Sequence, residues 1–520
     1  MQYSEEDKIV LDYFFTNLDK PVFATHNFHP EVWALMQARY SRSREGLRES
    51  FLKLVKEDTD NFNKLKEEIQ KIKGGVETKN ATEKAIQFME RWVLGYGHSS
   101  IAEGAVIGLS LEGVSILATK VIEDNRLCSF IEKSTRYVSF DEKSFYIDED
   151  LKKSEYYEEI KKMIDFLFKT YCELQEPVLD YVKKCSPRCD VTPVSAWERS
   201  CAARRFDAIR YLLPTCTKTS MGWTVNARQL SHAISKLLSH PLKEMNQIGE
   251  MVKKEATKVL PSLLKFADKN DYFIKTNEEM TELCNKIDID DEKTEPVTLV
   301  KSPEDADNTL IAAILYRYKN QPFNKIMEKV KSMKQHEKER IFDSYLNNVS
   351  KYDYPMRELE HLNFTFDIVI DYGAFRDLQR HRICTQTSQV LTSDMGYDVP
   401  EDIINAGMEE KYKTAMEKAK EVYEKIREEY PLNAQYIIPL GFKKRYIITM
   451  NLREIYHLVK IRTTPLAHYS YRKIAYKIYN IMKKKYPLLS KYIVCNYSKE
   501  ELGRLKSEEM TEKLKRVEPL

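Results

Sequence analysis

The chain has 520 residues, 42% of them hydrophobic and 31% charged, with a formal net charge of +3. That balance excludes a disordered or fibrous chain, and the length exceeds what one ordinary core holds. No run approaches the ~18 apolar residues of a membrane span, and the charge is too mild to imply nucleic acid.

The opening MQYSEEDKIV carries no basic-then-apolar leader, and the nine cysteines are odd in number and scattered from Cys128 to Cys495. A reduced, cytoplasmic protein is expected. Cys185 and Cys189 have no nearby histidine or further cysteine, so no metal site is expected. Glycine numbers only 15, roughly 3% against a usual ~7%. Neither a dinucleotide-binding glycine turn nor a phosphate loop is present, since Gly95-Tyr96-Gly97 lacks a third glycine. Any nucleotide or cofactor is therefore held by side chains.

In chain order the elements reveal a long-range repeat. PVFATHNFHPEVWALMQARYS, from Pro21, is similar to PVTLVKSPEDADNTLIAAILYR, from Pro296. LRESFLKLVKEDTDNFNKLKEEIQKI reads as an amphipathic helix with apolar residues at i, i+3 and i+4. FIEKSTRYVSF follows. Extended, it sets Glu132, Ser134 and Arg136 on one side, as a ligand site or as an exposed strand with a cross-strand ion pair. YEEIKKMIDFLFKTYCELQEPVLDYVKK is a further amphipathic helix. WTVNARQLSHAISKL, from Trp223, is similar to ITMNLREIYHLVKIR, from Ile448, and Pro214 and Pro439 each precede the shared Asn by 12 residues. The polar KTNEEMTELCNKIDIDDEKTE between the copies is a linker or connecting helix, giving halves of 1–285 and 286–520.

In the second half FTFDIVID is a strand. The following YGAFRDLQRHR is helical, with Arg376 and Arg380 one turn apart on an anion-binding or merely solvated face. EEKYKTAMEKAKEVYEKIREEY is helical and RYIITM is a strand. Asn451 then caps a helix, with Glu454 completing a capping box, and Asn226 with Gln229 repeats the device. Arg453 in the first turn makes a natural anion site, and Arg462, about three turns on, shares the Asn451 face. The fold class expected is helix-rich α+β, with a small sheet in each half.

These motifs, in this order, resemble the flavin-dependent thymidylate synthases, whose signature is RHRxxSxNExSxRY, then an Arg four residues before a Pro, then an Asn-Ala-Arg helix with a later arginine. The resemblance covers roughly 21–240 and 296–486, so two tandem copies of that fold are implied. The first copy reads DNRLCSFIEKSTRY. It keeps Arg126, Ser129, Glu132, Ser134, Arg136 and Tyr137, with His98, Ser100 and Glu103 upstream and Arg210, Asn226, Arg228 and His232 downstream. It loses the opening Arg-His to Asp124 and Asn125, and the late arginine to Leu237. The second copy keeps Arg380, His381, Arg382, Thr385, the Glu360-His361 pair, Asn451, Arg453, His457 and Arg462, but loses the Glu-x-Ser-x-Arg-Tyr portion and carries Gln435 at the pre-proline position.

The family builds each site where subunits of a homotetramer meet, so two fused copies can divide the work. The resemblance implies conversion of deoxyuridylate (dUMP) to thymidylate with FAD, methylenetetrahydrofolate and NADPH. It assigns Glu132, Ser134, Thr135, Arg136, Arg210, Gln379, Arg380 and Arg462 to dUMP, with Arg462 also catalytic through the uracil N3. His98, Ser100, Arg380, His381, Arg382, Asn451, Arg453 and His457 are implied for FAD. A homodimer of fused chains, mimicking the tetramer, is the expected assembly. The lost residues, including Ile131 for the motif Asn, also suit a flavin- or nucleotide-binding pseudoenzyme, and the lysine and arginine content alone would suit an RNA-binding protein.

Overall fold

The computed structural model describes residues 3–40, 43–56, 59–73, 101–140, 144–290, 292, 295–498 and 500–517. The described residues form an α+β fold with two small antiparallel sheets among many helices. No described helix is long and apolar enough to cross a membrane. The chain divides into two compact units: Met1–Glu112 with Leu127–Glu132 and Ser220–Ile287, and Gly113–Arg126 with Lys133–Thr219 and Asp288–Leu520.

The first unit holds most of a three-stranded sheet made of β1 (Val106–Ser115), β2 (Cys128–Glu132) and β3 (Lys218–Asn226), in the order β1-β3-β2. The second sheet contains β4 (Val297–Lys301), β5 (Asn363–Asp371), β6 (Thr385–Ser388) and β7 (Lys443–Asn451), in the order β4-β5-β7-β6. Without β4 the two orders are the same, and the flanking helices repeat as well. Ser115 caps the helix after β1 by accepting from Ala118 N at 2.9 Å, as Asp371 caps the helix after β5 by accepting from Ala374 N at 2.7 Å. Asn226 and Asn451 cap the helices after β3 and β7 from Gln229 N and Glu454 N, at 3.0 and 2.8 Å. The internal repeat of the sequence is thus a repeat of topology.

Residue patterning explains the elements. In β5, Phe364, Phe366, Ile368 and Ile370 alternate inward, and Tyr446, Ile448 and Met450 of β7 meet them. In the first unit the N-terminal helices close on Val10, Leu11, Phe14, Phe15, Phe51 and Ile69, and the stretch from Pro21 makes a single bridge, Phe15 with Thr25. The two long amphipathic stretches of the first half each divide in two, into Leu47–Lys56 and Thr59–Lys73, and into Tyr157–Glu173 and Gln175–Cys185. The acidic connector is a helix, Asp271–Cys284, with no buried residue.

Within the second unit, segments of both repeats pair about the two matched prolines. Thr215 N donates to Ile438 O at 3.0 Å and Leu440 N to Leu213 O at 2.9 Å, flanking a bridge between Pro214 and Pro439. Leu117 N to Thr215 O and Gly373 N to Leu440 O continue the same local twofold. This pairing seats Arg210 and the Tyr372–Gln379 helix in one unit.

Candidate functional site

The second unit gathers arginines from widely separated segments around two carboxylates. The Tyr372–Gln379 helix leaves β5 and ends at Arg380, whose guanidinium bonds Asp377 one turn back. Asp377 also lies 4.0 Å from Arg210 Nη1. Burial raises the Asp377 carboxyl, but Arg380, Arg210 and more distant guanidiniums outweigh it and hold the group well below the usual carboxylate range. Arg210 is 2% exposed, and neither its Nε nor its Nη2 has a partner among the described residues. A buried cation with two unsatisfied donors is a place for an anion.

Arg136 grips Asp207 with both arms, Nε to Oδ1 at 2.7 Å and Nη2 to Oδ2 at 2.9 Å, and donates from Nη1 to Tyr471 Oη at 3.0 Å. The extended expectation for FIEKSTRY fails after Glu132. Tyr137 N and Val138 N both turn back to Ser134 O, at 3.3 and 3.2 Å, and Ser134 Oγ accepts from Arg136 N. Residues 134–138 therefore form a turn, not an alternating strand, and the main-chain bonds decide it, since no glycine or proline marks the bend.

His381 joins the helix that follows β7 to the end of the helix that follows β5. Its Nδ1 meets Glu454 Oε1 at 2.6 Å and its Nε2 accepts from Arg462 Nε at 2.9 Å. Arg462 also donates from Nη2 to Asp377 O at 2.7 Å. Burial pushes the imidazole down to about 4, the Glu454 bond opposing and Arg462 adding. His381 is therefore neutral, with its proton on Nδ1. Glu454 is spent on this histidine, so the expected capping box reduces to the Asn451 half.

The remaining residues divide. Thr135 is buried, Gln379 Nε2 donates to Lys120 O at 2.9 Å, and Arg382 is exposed. Arg453 is committed to Pro355 O at 2.7 Å and Glu360 at 3.0 Å. The matching Arg228 of the first unit pairs with Glu103, so this ion pair recurs in both copies. Nδ1 of His457 is buried without a partner among the described residues. Ligand-type atoms of His381, Glu454 and His457 lie within 4.8 Å of one another, but both His381 nitrogens are engaged and one faces a guanidinium, which suits no cation. Glu132 ends β2 in the first unit, while His98 and Ser100 lie outside the described residues.

Sequence reasoning missed Asp207, Asp377 and Tyr471, the partners that position these arginines. Asp377 stood inside the RDLQRHR motif three residues before Arg380. Asp207 had no signal, being 71 residues from Arg136.

Two stretches, 30–262 and 298–488, match the family of thymidylate synthase complementing proteins. A UPF0159 protein of Chlamydia muridarum is 33% identical over 97% of this chain and 98% of its own length. A flavin-dependent thymidylate synthase of Saccharolobus solfataricus is 34% identical over 26% of this chain and 55% of its own. A solved UMP/dUMP methylase from Streptomyces cacaoi aligns at a TM-score of 0.30 and 15% identity, over 38% of this chain and 92% of that one, too distant to carry an argument. With both repeats matched, the chain belongs to the thymidylate synthase complementing protein family, in tandem form.

Proposed function

We propose that the chain methylates dUMP to thymidylate with FAD, using methylenetetrahydrofolate as carbon donor and NADPH as reductant, at one composite site per chain. The observation that carries the reading is the buried guanidinium of Arg210 with two unsatisfied donors, a fit for the phosphate of a nucleotide. Arg136 and Arg210 come from the repeat proposed to span 1–285, and Arg380 and Arg462 from the one proposed to span 286–520. All four belong to the second compact unit. Ser134, Thr135 and Gln379, of the same unit, complete the proposed nucleotide contacts.

The counterparts in the other set support a single working site. Gln435, at the position of Arg210, accepts from Leu391 N at 3.2 Å and donates one N–H to Leu432 O at 2.9 Å, and being uncharged it offers a phosphate no cation. Leu237, at the position of Arg462, is 1% exposed and apolar.

For the flavin, the donors proposed are His457 Nδ1, which has no partner among the described residues, the exposed Arg382, and Arg453 N at the start of the Leu452–Arg462 helix, where Leu452 N is already given to Leu362 O and Glu454 N to Asn451 Oδ1. Arg380, His381, Asn451 and Arg453, all of the second unit, are proposed to complete its site. When bound, the flavin supplies the hydride chemistry. The chain's own part is orientation and field: neutral His381 fixes Arg462, whose positive charge stabilises the negative charge developing on the pyrimidine. A homodimer of fused chains is the assembly proposed.

Tritium release from labelled dUMP, with folate and NADPH, tests the reading. The native chain is expected to turn over, and Arg462→Ala to lose at least ~100-fold in rate while remaining yellow. Full turnover by that variant would remove Arg462 from its role. A yellow native chain that releases no tritium would leave a flavin-binding pseudoenzyme.

A further inference from the structure

The tail beyond residue 488 lies outside both stretches that match the family, yet it delivers an arginine to the proposed site. Residues Leu505–Val517 form a helix that lies on the Val194–Ile209 helix, the element that carries Asp207. Arg199 pairs with Glu508 and Glu512 at 2.7 and 2.6 Å, and Thr192 Oγ1 donates to Glu509 at 3.0 Å. Just before this helix, Gly503 passes so close to Pro465 that any Cβ there would be driven into the Pro465 carbonyl oxygen. The close approach fixes the next residue, Arg504, which is 6% exposed.

Arg504 holds Arg136 at both ends. Its Nη1 donates to the Arg136 carbonyl at 3.2 Å, and its Nη2 reaches both oxygens of Asp207 at 3.1 Å. Its guanidinium also sits over the Tyr137 ring at 4.4 Å. One carboxylate is therefore shared between two guanidiniums, with an uncompensated positive charge left over. Without Arg504, Asp207 and Arg136 would form a closed neutral pair, and an incoming phosphate would have to break it. With Arg504 present, Asp207 keeps a partner when Arg136 turns to a phosphate.

We infer that Arg504 is a positioning residue for dUMP: it occupies Asp207 so that the charge of Arg136 is available to the nucleotide phosphate. The inference rests on the proposed function above. It assigns the tail a part in phosphate recognition that neither matched stretch contains.

The test uses the full flavin-loaded chain. For Arg504→Gln, KM for dUMP is expected to rise about tenfold with kcat within twofold, and titration with deoxyuridine, which lacks the phosphate, to give unchanged affinity. Arg504→Lys, keeping the charge, restores KM to within about threefold of native. Gly503→Ala, which displaces the tail without touching the charge, reproduces the KM rise. In an Asp207→Asn background, Arg504→Gln adds nothing further, because there is no carboxylate to share. A KM within twofold of native in both Arg504→Gln and Gly503→Ala, or a loss undiminished by Asp207→Asn, overturns the role of the tail alone. A merely structural tail would lower the melting temperature and the active fraction with KM unmoved, which also overturns it. A native chain that binds no dUMP overturns the proposed function and this inference together.

Discussion

Arg210 shows how one residue separates function from stability. Its guanidinium is buried, lies no nearer than 4.0 Å to Asp377, and leaves two nitrogens without a partner among the described residues. Burial lowers its proton affinity, but Tyr211 and Asp377 outweigh that and raise it above the ordinary arginine value, so the fold holds the cation charged, and losing it removes one of the partners of Asp377. Arg210→Gln installs the residue that the second repeat carries at Gln435. The expected outcome is a melting temperature only modestly below native, because Asp377 keeps Arg380, and a dUMP affinity at least ~100-fold lower, since two charge-assisted bonds are lost. Calorimetric titration beside a thermal scan checks both halves. The histidines give a second prediction. Burial holds His381 and His240 down to about 4 and His468 to about 3, all below the ordinary 6.5. A depressed histidine favours the fold fully above pH 6.5, and that stability is lost as pH falls from 6.5 through the folded values. Each contributes a slope of up to about 1.4 kcal/mol per pH unit in that window. Asp207 and Asp377 are depressed as well, but their share is lost only below the ordinary aspartate value of 3.8. Denaturant midpoints should therefore fall from pH 6.5 to 4, and His468→Gln should flatten the curve. A midpoint constant over that range would contradict the burial of neutral imidazoles.

At the scale of elements, what the sequence made legible is what local physics decides. The alternation of FTFDIVID placed β5, and the asparagines of WTVNARQ and ITMNLRE placed two helix starts. Each cap depends on atoms three residues apart, so the prediction is equally local. Asn451→Ala and Asn226→Ala should each destabilise the chain by about 1 kcal/mol in chemical denaturation. A cost well under half that in both would show that the helices are held by packing alone. The turn at Ser134–Val138 was not legible, because it holds no glycine or proline and its one side-chain signal, Ser134 Oγ accepting from Arg136 N, is the weak kind, while its closure is a matter of main-chain bonds. The carboxylates that orient the arginines were not legible either. The contacts of Asp207 cross 71 residues to Arg136 and 297 to Arg504, and no periodicity records such distances. The late arginine of the Leu452–Arg462 helix lay between these limits. Its spacing from Asn451 gave its face, but its partners, His381 and the Asp377 carbonyl, come from another part of the chain.

For the whole molecule, duplication followed by unequal loss makes a claim about number. A chain with two equivalent sites would bind two nucleotides. Here the residues proposed for phosphate and uracil recognition survive as one set. Arg136 and Arg210 stand in the first repeat, and Arg380 and Arg462 in the second. The reciprocal positions hold Asp124, Leu237 and Gln435. A carboxylate at the first of these opposes a phosphate by on the order of 1 kcal/mol or more at short range, Leu237 has no charge to offer the ring, and Gln435 is uncharged, with its oxygen and one N–H already given to the main chain. Equilibrium titration of the flavin-loaded chain is therefore expected to give one dUMP per chain. Arg210→Gln should abolish that single event rather than halve the stoichiometry. Two dUMP per native chain, or one remaining in Arg210→Gln, would mean that the second set still works and that the repeats have not divided the labour.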